Sequence, residues 1–194
     1  MRPTKNKYII VFEGVDGAGK STQARLLYFA LKKKGLSADL YHFPSNGPIG
    51  TFVRNLLENN KFDSLNEKSK SLLTTADFYD QYINKSNESD IIIFDRYIHS
   101  NFVSNNTLDK EWIRTLHKFA PEPDFVFFLD CEIEIINRRK DCDFGVKNID
   151  RQKDFNLRYK NLFEKIPKIK IDASKNRENI HKEILEIVNN KIKL

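Results

Sequence analysis

At 194 residues, the chain is long enough for one domain of ordinary size and too short for two well-formed α/β domains. Its 40% hydrophobic and 12% aromatic content excludes an intrinsically disordered chain. The net charge of +6 comes from basic residues that alternate with acidic ones along most helical stretches, which argues against polymeric nucleic acid as a partner.

The apolar runs and the cysteines indicate where the protein is located and whether it holds zinc or disulfides. No apolar run reaches the roughly 18 residues that cross a bilayer, and the basic lead from Met1 to Lys7 has no signal-peptide core behind it. Cys131 and Cys142 lack a metal-ligand pattern. The sequence therefore predicts a cytoplasmic protein with no membrane partner, no zinc site and no disulfide framework.

Short β-branched runs alternate with longer helical segments, which predicts a parallel sheet with helices on both faces. The predicted strands run from Tyr8 to Glu13, Ala38 to Phe43, Ile91 to Asp95, Phe125 to Asp130 and Lys168 to Ile171. The predicted helices are one beginning near Lys20, then Ile49 to Asn59, Glu67 to Asn84, Leu108 to Phe119, Glu132 to Arg139, Gln152 to Glu164, and a last one through Ile180 and Ile192.

The segment from Gly14 to Ser21 matches the phosphate-binding pattern G-x-x-x-x-G-K-[ST] between a predicted strand and a predicted helix. Its glycines permit a tight loop whose N–H groups point at phosphate oxygens. We expect Lys20 to reach the β- and γ-phosphates, Ser21 to offer Mg²⁺ a hydroxyl, and Thr22 to contact phosphate. The pattern predicts a three-layer P-loop NTPase fold with a five-stranded parallel sheet and an ATP-binding loop of Gly14, Val15, Asp16, Gly17, Ala18, Gly19, Lys20, Ser21 and Thr22.

Asp95 and Arg96 follow the run Ile91-Ile92-Ile93-Phe94, which is apolar without alternation, as in a central strand covered on both faces. A carboxylate at the end of such a strand can orient Mg²⁺ together with Ser21, and an arginine beside it can bind phosphate with two hydrogen bonds. A structural ion pair between Asp95 and Arg96 is the alternative.

The segment from Arg138 to Arg151 is charged, weakly periodic and placed between two predicted helices. It is a candidate lid over bound nucleotides. A solvated loop is the alternative.

Four markers, spread in order over almost the whole chain, resemble the thymidylate kinase family of P-loop nucleoside monophosphate kinases. They are the stretch from Phe12 to Gln23, Phe43-Pro44 with Ile49-Gly50 downstream, Asp95-Arg96-Tyr97 with Ser100-Asn101, and the stretch from Ile171 to Ser174. The resemblance implies one kinase domain over residues 1–194 that transfers the γ-phosphate of MgATP to dTMP. It also implies a homodimer formed through helices, with residues 78–82 or the helix after Asp95 as candidate faces.

By the same resemblance, Asp16 contacts the 3′-hydroxyl of the acceptor sugar, Phe43 stacks on thymine, and Arg96 grips the acceptor phosphate. Arg54 lies where some bacterial relatives carry an arginine that reaches the acceptor, with an ordinary surface arginine as the alternative. The implied acceptor-binding residues are Asp16, Phe43, Pro44, Arg54, Phe78, Arg96, Tyr97, Ser100 and Asn101.

Family members divide over the source of a catalytic arginine, and some carry it in the P-loop at the position of Gly17. A glycine there resembles the members in which the lid supplies the cation; the candidates are Arg138, Arg139, Lys140, Lys147 and Arg151. The resemblance assigns Arg138 to ATP binding, and catalysis to Lys20, Arg96, Arg139 and Arg151.

The chain departs from the family pattern at the base and at the sugar. Many relatives carry an arginine that hydrogen-bonds thymine where this chain has Phe78, and an aromatic gate near C2′ where it has Ser104. These departures leave open a broader pyrimidine nucleoside monophosphate kinase. A deoxynucleoside kinase and a non-catalytic nucleotide-binding module are further alternatives.

Overall fold

The computed structural model describes residues 7–85, 89–140 and 149–192. Its centre is a five-stranded sheet in the order β2-β3-β1-β4-β5, in which every neighbouring pair is parallel. The predicted five-stranded parallel sheet is therefore confirmed. The strands are β1 Tyr8–Glu13, β2 Ala38–His42, β3 Ile91–Asp95, β4 Phe125–Asp130 and β5 Ile169–Asp172.

The helices follow the predicted alternation closely. A 3-10 turn at Phe62–Ser64 separates the second helix from the third. The helices are α1 Lys20–Lys33, α2 Pro48–Glu58, α3 Glu67–Lys85, α4 Ile98–Ser104, α5 Lys110–Leu116, α6 Ile133–Lys140, α7 Ile149–Phe163 and α8 Arg177–Ile192. Within the described residues, none of these helices has the length and apolar character needed to cross a membrane.

Adjacent phenylalanines of β4 show that helices cover both faces of the sheet. Successive side chains of a strand point to opposite faces. Phe128 stacks on Phe163 of α7, with 4.8 Å between ring centroids, whereas Phe127 stacks on Phe125, over which Lys191 of α8 lies. The predicted three-layer arrangement is confirmed.

The strand register brings the functional segments to one edge of the sheet. Phe12 of β1 lies beside Asp95 of β3, and His42 of β2 lies on the other side of Asp95. Because the three strands are parallel, the chain leaves all of them at the same edge. The P-loop, the Asp95-Arg96 turn and the Phe43-Pro44 turn therefore face one another.

The short helix α4 is the helix after Asp95 that the family resemblance implied, but the residue pattern did not predict it. Its buried side chains are His99, Asn101 and Val103, so the face turned to the protein interior is largely polar and carries no apolar periodicity. The predicted helix from Leu108 to Phe119 is shorter in the structure, because Asp109 caps the start of α5 by accepting a hydrogen bond from the backbone N–H of Glu111 at 2.7 Å.

The predicted lid falls mostly outside the described residues. Arg138 to Lys140 form the end of α6, and Ile149 to Arg151 form the start of α7. Residues 141–148, which include Lys147, lie outside the described ranges.

Candidate active site

A pocket of about 400 Å³ opens at the sheet edge where β1, β2 and β3 end. That volume lies in the range of small-molecule sites. It joins the P-loop to the two turns that follow β2 and β3. Its lining residues are Asp16, Gly17, Gly19, Lys20, Ser21, Thr22, His42, Phe43, Pro44, Arg54, Asp95 and Arg96.

The P-loop takes its shape from backbone conformations that favour glycine. Gly14 has φ +142°, and an added Cβ atom would lie 2.7 Å from the carbonyl oxygen of Leu129. Gly19, the N-cap of α1, has φ 98° in the left-handed region. The loop can therefore wrap around the start of α1, where free N–H groups and the helix dipole favour phosphate.

Lys20 is buried, at 5% exposure, and turns back into the loop. Its ammonium group donates to the carbonyl oxygen of Val15 at 2.7 Å and lies 3.9 Å from a carboxylate oxygen of Asp16. Burial, and next the nearby charge of Arg96, lower the pKa of Lys20 to about 8. The loop thus holds a desolvated cation, and a bound polyphosphate would stabilise its positive charge.

This environment predicts that ATP affinity depends on pH. We expect phosphate binding to require charged Lys20 and to raise its pKa, so that binding above about pH 8 takes up a proton. We expect Kd for ATP to be flat below that pH and to rise by up to about tenfold per pH unit above it. Calorimetry in two buffers with different ionisation enthalpies measures both Kd and the proton uptake.

Lys20→Arg is the matched control, because the arginine stays charged throughout this range and its binding should show no such pH dependence. A wild-type Kd that stays constant from about pH 7 to 9.5, without proton uptake, would contradict the assignment of Lys20.

Arg96 sits in a strained turn at the end of β3. Its φ of 75° is uncommon for a residue other than glycine, asparagine or aspartate. Its backbone N–H donates to the carbonyl oxygen of Phe12 at 3.0 Å, and its guanidinium donates to the hydroxyl of Tyr159 at 3.0 Å and to that of Ser100 at 3.3 Å. The turn aims the guanidinium at the P-loop.

The guanidinium of Arg96 also forms an ion pair with Asp16 of the P-loop. Burial disfavours the charge on Arg96, but the attraction of Asp16 outweighs it and raises the pKa of the guanidinium further above its ordinary value. Arg96 is therefore a permanent cation in the pocket. The predicted alternative, an Asp95–Arg96 ion pair, does not occur, since the carboxylate partner is Asp16.

Asp95 and Ser21 line the same pocket. Asp95 is 8% exposed, and Ser21 is exposed in the first turn of α1. One carboxylate and one hydroxyl beside a phosphate site fit Mg²⁺, which is usually bound through one or two carboxylates, water and substrate phosphates. Within the described residues there is no cluster of three or more His, Cys, Asp or Glu side chains that would hold a metal alone.

The predicted acceptor residues Phe43, Pro44 and Arg54 line the opposite side of the pocket. Arg54 donates to the carbonyl oxygens of Pro44 at 2.8 Å and Ser45 at 3.0 Å. Its guanidinium is thus bound to the turn after β2 as well as lining the pocket. Contact of Arg54 with the acceptor stays a prediction.

Phe78 lies beneath the pocket. At 3% exposure, it packs on Phe43, with 5.7 Å between ring centroids, and edge-on against Tyr97 at 5.1 Å. It supports Phe43 from behind and is absent from the lining of the pocket. A dimer face at residues 78–82 stays a prediction.

The predicted acceptor residues of the β3–α4 segment also lie below the pocket lining. Tyr97 donates its hydroxyl to the carbonyl oxygen of Pro121 at 2.6 Å. Asn101 is buried, and its side-chain N–H₂ contacts Thr75 at 3.1 Å and His117 at 2.9 Å. Direct substrate contact by these residues and by Ser100 stays a prediction.

The candidate lid cations Arg138, Arg139 and Arg151 are not among the residues that line the pocket. Arg139 donates to the backbone carbonyl oxygens of Ala173, Ser174 and Lys175, at 2.7, 2.8 and 3.0 Å. Arg151 pairs with Asp63 through two hydrogen bonds, at 2.7 and 3.0 Å. Arg138 is exposed at the end of α6. Asp63, and to a smaller extent Asp16 of the P-loop, raise the pKa of Arg151. The contacts of these arginines with nucleotide stay predictions.

Sequence reasoning missed the carboxylates that hold the two turns. Asp77 is 1% exposed and accepts hydrogen bonds from the backbone N–H of Ser45 at 2.8 Å and from its hydroxyl at 2.5 Å. Glu13, fully buried, accepts hydrogen bonds from the segment after Arg96. For Glu13, the available signal was its place as a charged residue at the end of an apolar strand, which indicates a buried carboxylate that needs hydrogen-bond donors.

Comparison with known proteins identifies close similarities over nearly the whole chain. A family model described as thymidylate kinase matches residues 12–184. The probable thymidylate kinase of Thermococcus kodakarensis is 32% identical over 197 residues, which cover 92% of this chain and 96% of that protein. Those of Sulfurisphaera tokodaii and Methanocaldococcus jannaschii are 34% and 31% identical, over 92% and 93% of this chain and 94% and 95% of theirs.

Proposed function

The chain belongs to the thymidylate kinase family, and we propose that it transfers the γ-phosphoryl group of MgATP to dTMP, giving dTDP and ADP. One observation carries the proposal: a single pocket joins the P-loop, with Lys20, to Arg96 and Phe43 on the opposite side. Two phosphate-binding cations and an aromatic ring in one pocket suit a reaction between two nucleotides.

On the donor side, the loop amides and Lys20 hold the β- and γ-phosphates of ATP. Ser21 and Asp95 hold Mg²⁺, which, when bound, neutralises charge on those phosphates. Lys20 is already desolvated before ATP arrives, so little water has to be removed from it when the charge on the transferring group develops.

On the acceptor side, Arg96 binds the phosphate of dTMP and Phe43 stacks on thymine. Arg96 and Asp16 form an ion pair in this structure. Their closeness supports a division in which Arg96 binds the acceptor phosphate and Asp16 binds the acceptor sugar. When phosphate takes the guanidinium, Asp16 is released to accept a hydrogen bond from the sugar 3′-hydroxyl. Arg54 keeps the Pro44 turn in place through its two carbonyl contacts.

The reaction is a direct transfer. A phosphate oxygen of dTMP attacks the γ-phosphorus of ATP, the bond from that phosphorus to the β,γ-bridging oxygen breaks, and ADP keeps the electron pair. Lys20 and Arg96 stay charged throughout and offset negative charge on the moving group. Arg139 and Arg151 join them on lid closure, which also excludes water.

An acceptor panel tests this function. Purified protein is mixed with MgATP and, in turn, with dTMP, dUMP, UMP, dCMP, CMP, dGMP, dAMP and thymidine, and the products are separated by chromatography. We expect dTDP to form fastest. A Lys20→Met variant, prepared in parallel, controls for contaminating kinases.

A broader pyrimidine kinase is the second candidate, because Phe78 is buried behind Phe43 and has no hydrogen-bond donor for thymine. Similar rates with dTMP, dUMP and dCMP would favour it. ATP binding without product from any acceptor would contradict both and favour a nucleotide-binding module.

A homodimer and a cytoplasmic location are part of the proposal. Phe52 and Leu57 on α2 and Leu72 on α3 are exposed, at 54%, 44% and 49%, and α2 packs beside α3, so the two helices offer apolar surface for a second copy. Light scattering that gives twice the mass of one chain supports the dimer, and a single-chain mass contradicts it.

A further inference from the structure

Glu13 is a fully buried carboxylate at the point where β1 enters the P-loop. One of its oxygens, Oε1, accepts from the backbone N–H groups of Tyr97 at 2.8 Å and Ser100 at 3.2 Å. The other, Oε2, accepts from the Ser100 hydroxyl at 2.8 Å and the Tyr159 hydroxyl at 3.1 Å. This carboxylate therefore ties the P-loop strand to both sides of the Arg96 turn.

The charge of Glu13 persists despite its burial. Burial alone would raise the pKa of Glu13, but His99, 3.7 Å away, together with Arg96 and the hydroxyl of Ser100, lowers the pKa below its ordinary value. Each carboxylate oxygen of Glu13 accepts two hydrogen bonds, and the loss of a donor would remove part of the hydrogen bonding that offsets the cost of burying the charge.

Tyr159 of α7 completes this arrangement. It is 1% exposed, and its hydroxyl lies 3.1 Å from Glu13, 2.9 Å from Ser100 and 3.0 Å from the Arg96 guanidinium. Burial, and then the charge of Glu13, raise the pKa of this hydroxyl well above its ordinary value. It therefore stays protonated and has one proton to donate.

The hydrogen-bond directions follow from that single proton. Arg96 has donors only, so it donates to the Tyr159 oxygen. The Tyr159 proton is then free for the Glu13 carboxylate, to which Ser100 also donates. Hydrogen bonds in such a chain strengthen one another in a buried setting. Arg96 is thus held from behind through neutral hydroxyls, and its charge remains directed into the pocket.

We propose that Tyr159 is a positioning residue for the acceptor: its hydroxyl, held by Glu13 and Ser100, accepts a hydrogen bond from Arg96 and fixes the orientation of that side chain relative to α7. The inference rests on the proposed function for the identity of the acceptor. Tyr159 lies about two turns beyond Arg151 on α7. The orientation of the acceptor arginine therefore depends on where α7 places this hydroxyl.

The neighbouring Phe163 shows that packing alone does not require this hydroxyl. It stacks on Tyr159, with 6.1 Å between ring centroids, and on Phe128, and fills the same layer with a plain phenyl ring. Tyr159→Phe therefore removes the hydroxyl and keeps the ring contacts of the layer.

Steady-state kinetics and calorimetry of Tyr159→Phe test the proposal. We expect KM and Kd for dTMP to rise about tenfold and kcat to fall several-fold, because Arg96 loses a hydrogen-bond partner and gains freedom. KM for ATP should stay within about twofold, since Lys20 and the loop amides keep their contacts.

Tyr79→Phe is the matched control. The hydroxyl of Tyr79 donates to the carbonyl oxygen of Leu116 at 3.0 Å, and Tyr79 is absent from the pocket lining. Tyr79→Phe removes the same hydroxyl group as Tyr159→Phe. If the two variants have similar thermal stability and only Tyr79→Phe keeps normal dTMP kinetics, the effect of Tyr159→Phe comes from lost positioning and not from lost stability.

A double-mutant cycle with Ser100→Ala adds a second readout. Both hydroxyls donate to the same oxygen of Glu13 and contact Arg96. Their effects on dTMP affinity should therefore be strongly non-additive, the double variant being little worse than the poorer single variant.

Two results would overturn the inference. One is unchanged dTMP affinity and kcat in Tyr159→Phe; the other is an equal loss of ATP and dTMP affinity together with lowered thermal stability. If wild-type protein binds dTMP without phosphorylating it, the proposed function fails, while dTMP affinity in Tyr159→Phe still decides the inference. Wild-type protein that binds no nucleoside monophosphate overturns both.

Discussion

Replacing Lys20 with methionine is expected to lower kcat/KM for ATP by at least about a thousandfold while making the substrate-free protein more stable. The loss follows from removing a preorganised cation beside the transferring phosphoryl group, where even one hydrogen-bond donor is worth a factor of about 100 to 1,000. The gain in stability follows from removing a buried ammonium group, because burial disfavours its charge and lowers its pKa to about 8.

The sign of the stability effect comes from proton linkage. The unfolded chain binds a proton at Lys20 up to its ordinary pKa of about 10.5, whereas the folded protein releases it above about 8. Charged Lys20 therefore disfavours folding below about pH 8, and this effect disappears as pH rises through the unfolded value. The shift corresponds to roughly 3 kcal/mol.

Part of that gain is offset, because the carbonyl oxygen of Val15 loses its hydrogen bond from Lys20. We expect Lys20→Met to raise the free energy of unfolding by about 1 to 2 kcal/mol at pH 7, or Tm by several degrees. Scanning calorimetry and the coupled kinase assay measure the two effects on one preparation. Lowered stability together with lost activity would indicate a structural lysine instead.

Replacing Arg96 with lysine is expected to lower kcat/KM for dTMP by about 100- to 1,000-fold, with KM for ATP nearly unchanged. Lysine keeps the positive charge but lacks the planar fork. The ammonium cannot contact Tyr159, Ser100 and phosphate together in the way that the guanidinium's several donors allow. The expected pattern is therefore a selective loss on the acceptor side.

Arg114→Lys is the control for this substitution. Arg114 is exposed on α5 and pairs with Glu111 one turn away, so its replacement should leave both KM values unchanged. An Arg96→Lys enzyme that loses ATP and dTMP affinity equally would contradict the division of the pocket into donor and acceptor sides.

Much of the fold was predictable, because its signals are local. β3 is apolar along its whole length, and the P-loop pattern lies between a strand and a helix, so neither depends on distant contacts. The pocket lining was predictable for the same reason: Asp95 ends β3, Arg96 follows it, and Lys20 follows β1 and the P-loop, while parallel strands end at one edge.

The buried polar contacts were not predictable from pattern. Tyr159 is far from both Glu13 and Arg96 in the sequence, and only the fold brings its hydroxyl to Glu13. The burial of Phe78 behind Phe43 likewise depends on how α3 packs against β3. Arg139 donates to a backbone carbonyl oxygen just after β5. Every residue type has a backbone carbonyl group, so the sequence gives no signal for this contact.

We propose that Lys20 and Arg96 hold two nucleotides in one pocket for direct phosphoryl transfer. A single-turnover experiment with enzyme in excess over ATP labelled at the γ-phosphate, quenched in acid at short times, tests it most directly. We expect all of the label lost from ATP to appear in dTDP, with none on the protein and little as free phosphate. Labelled protein, or label released mainly as free phosphate in the presence of dTMP, would contradict it.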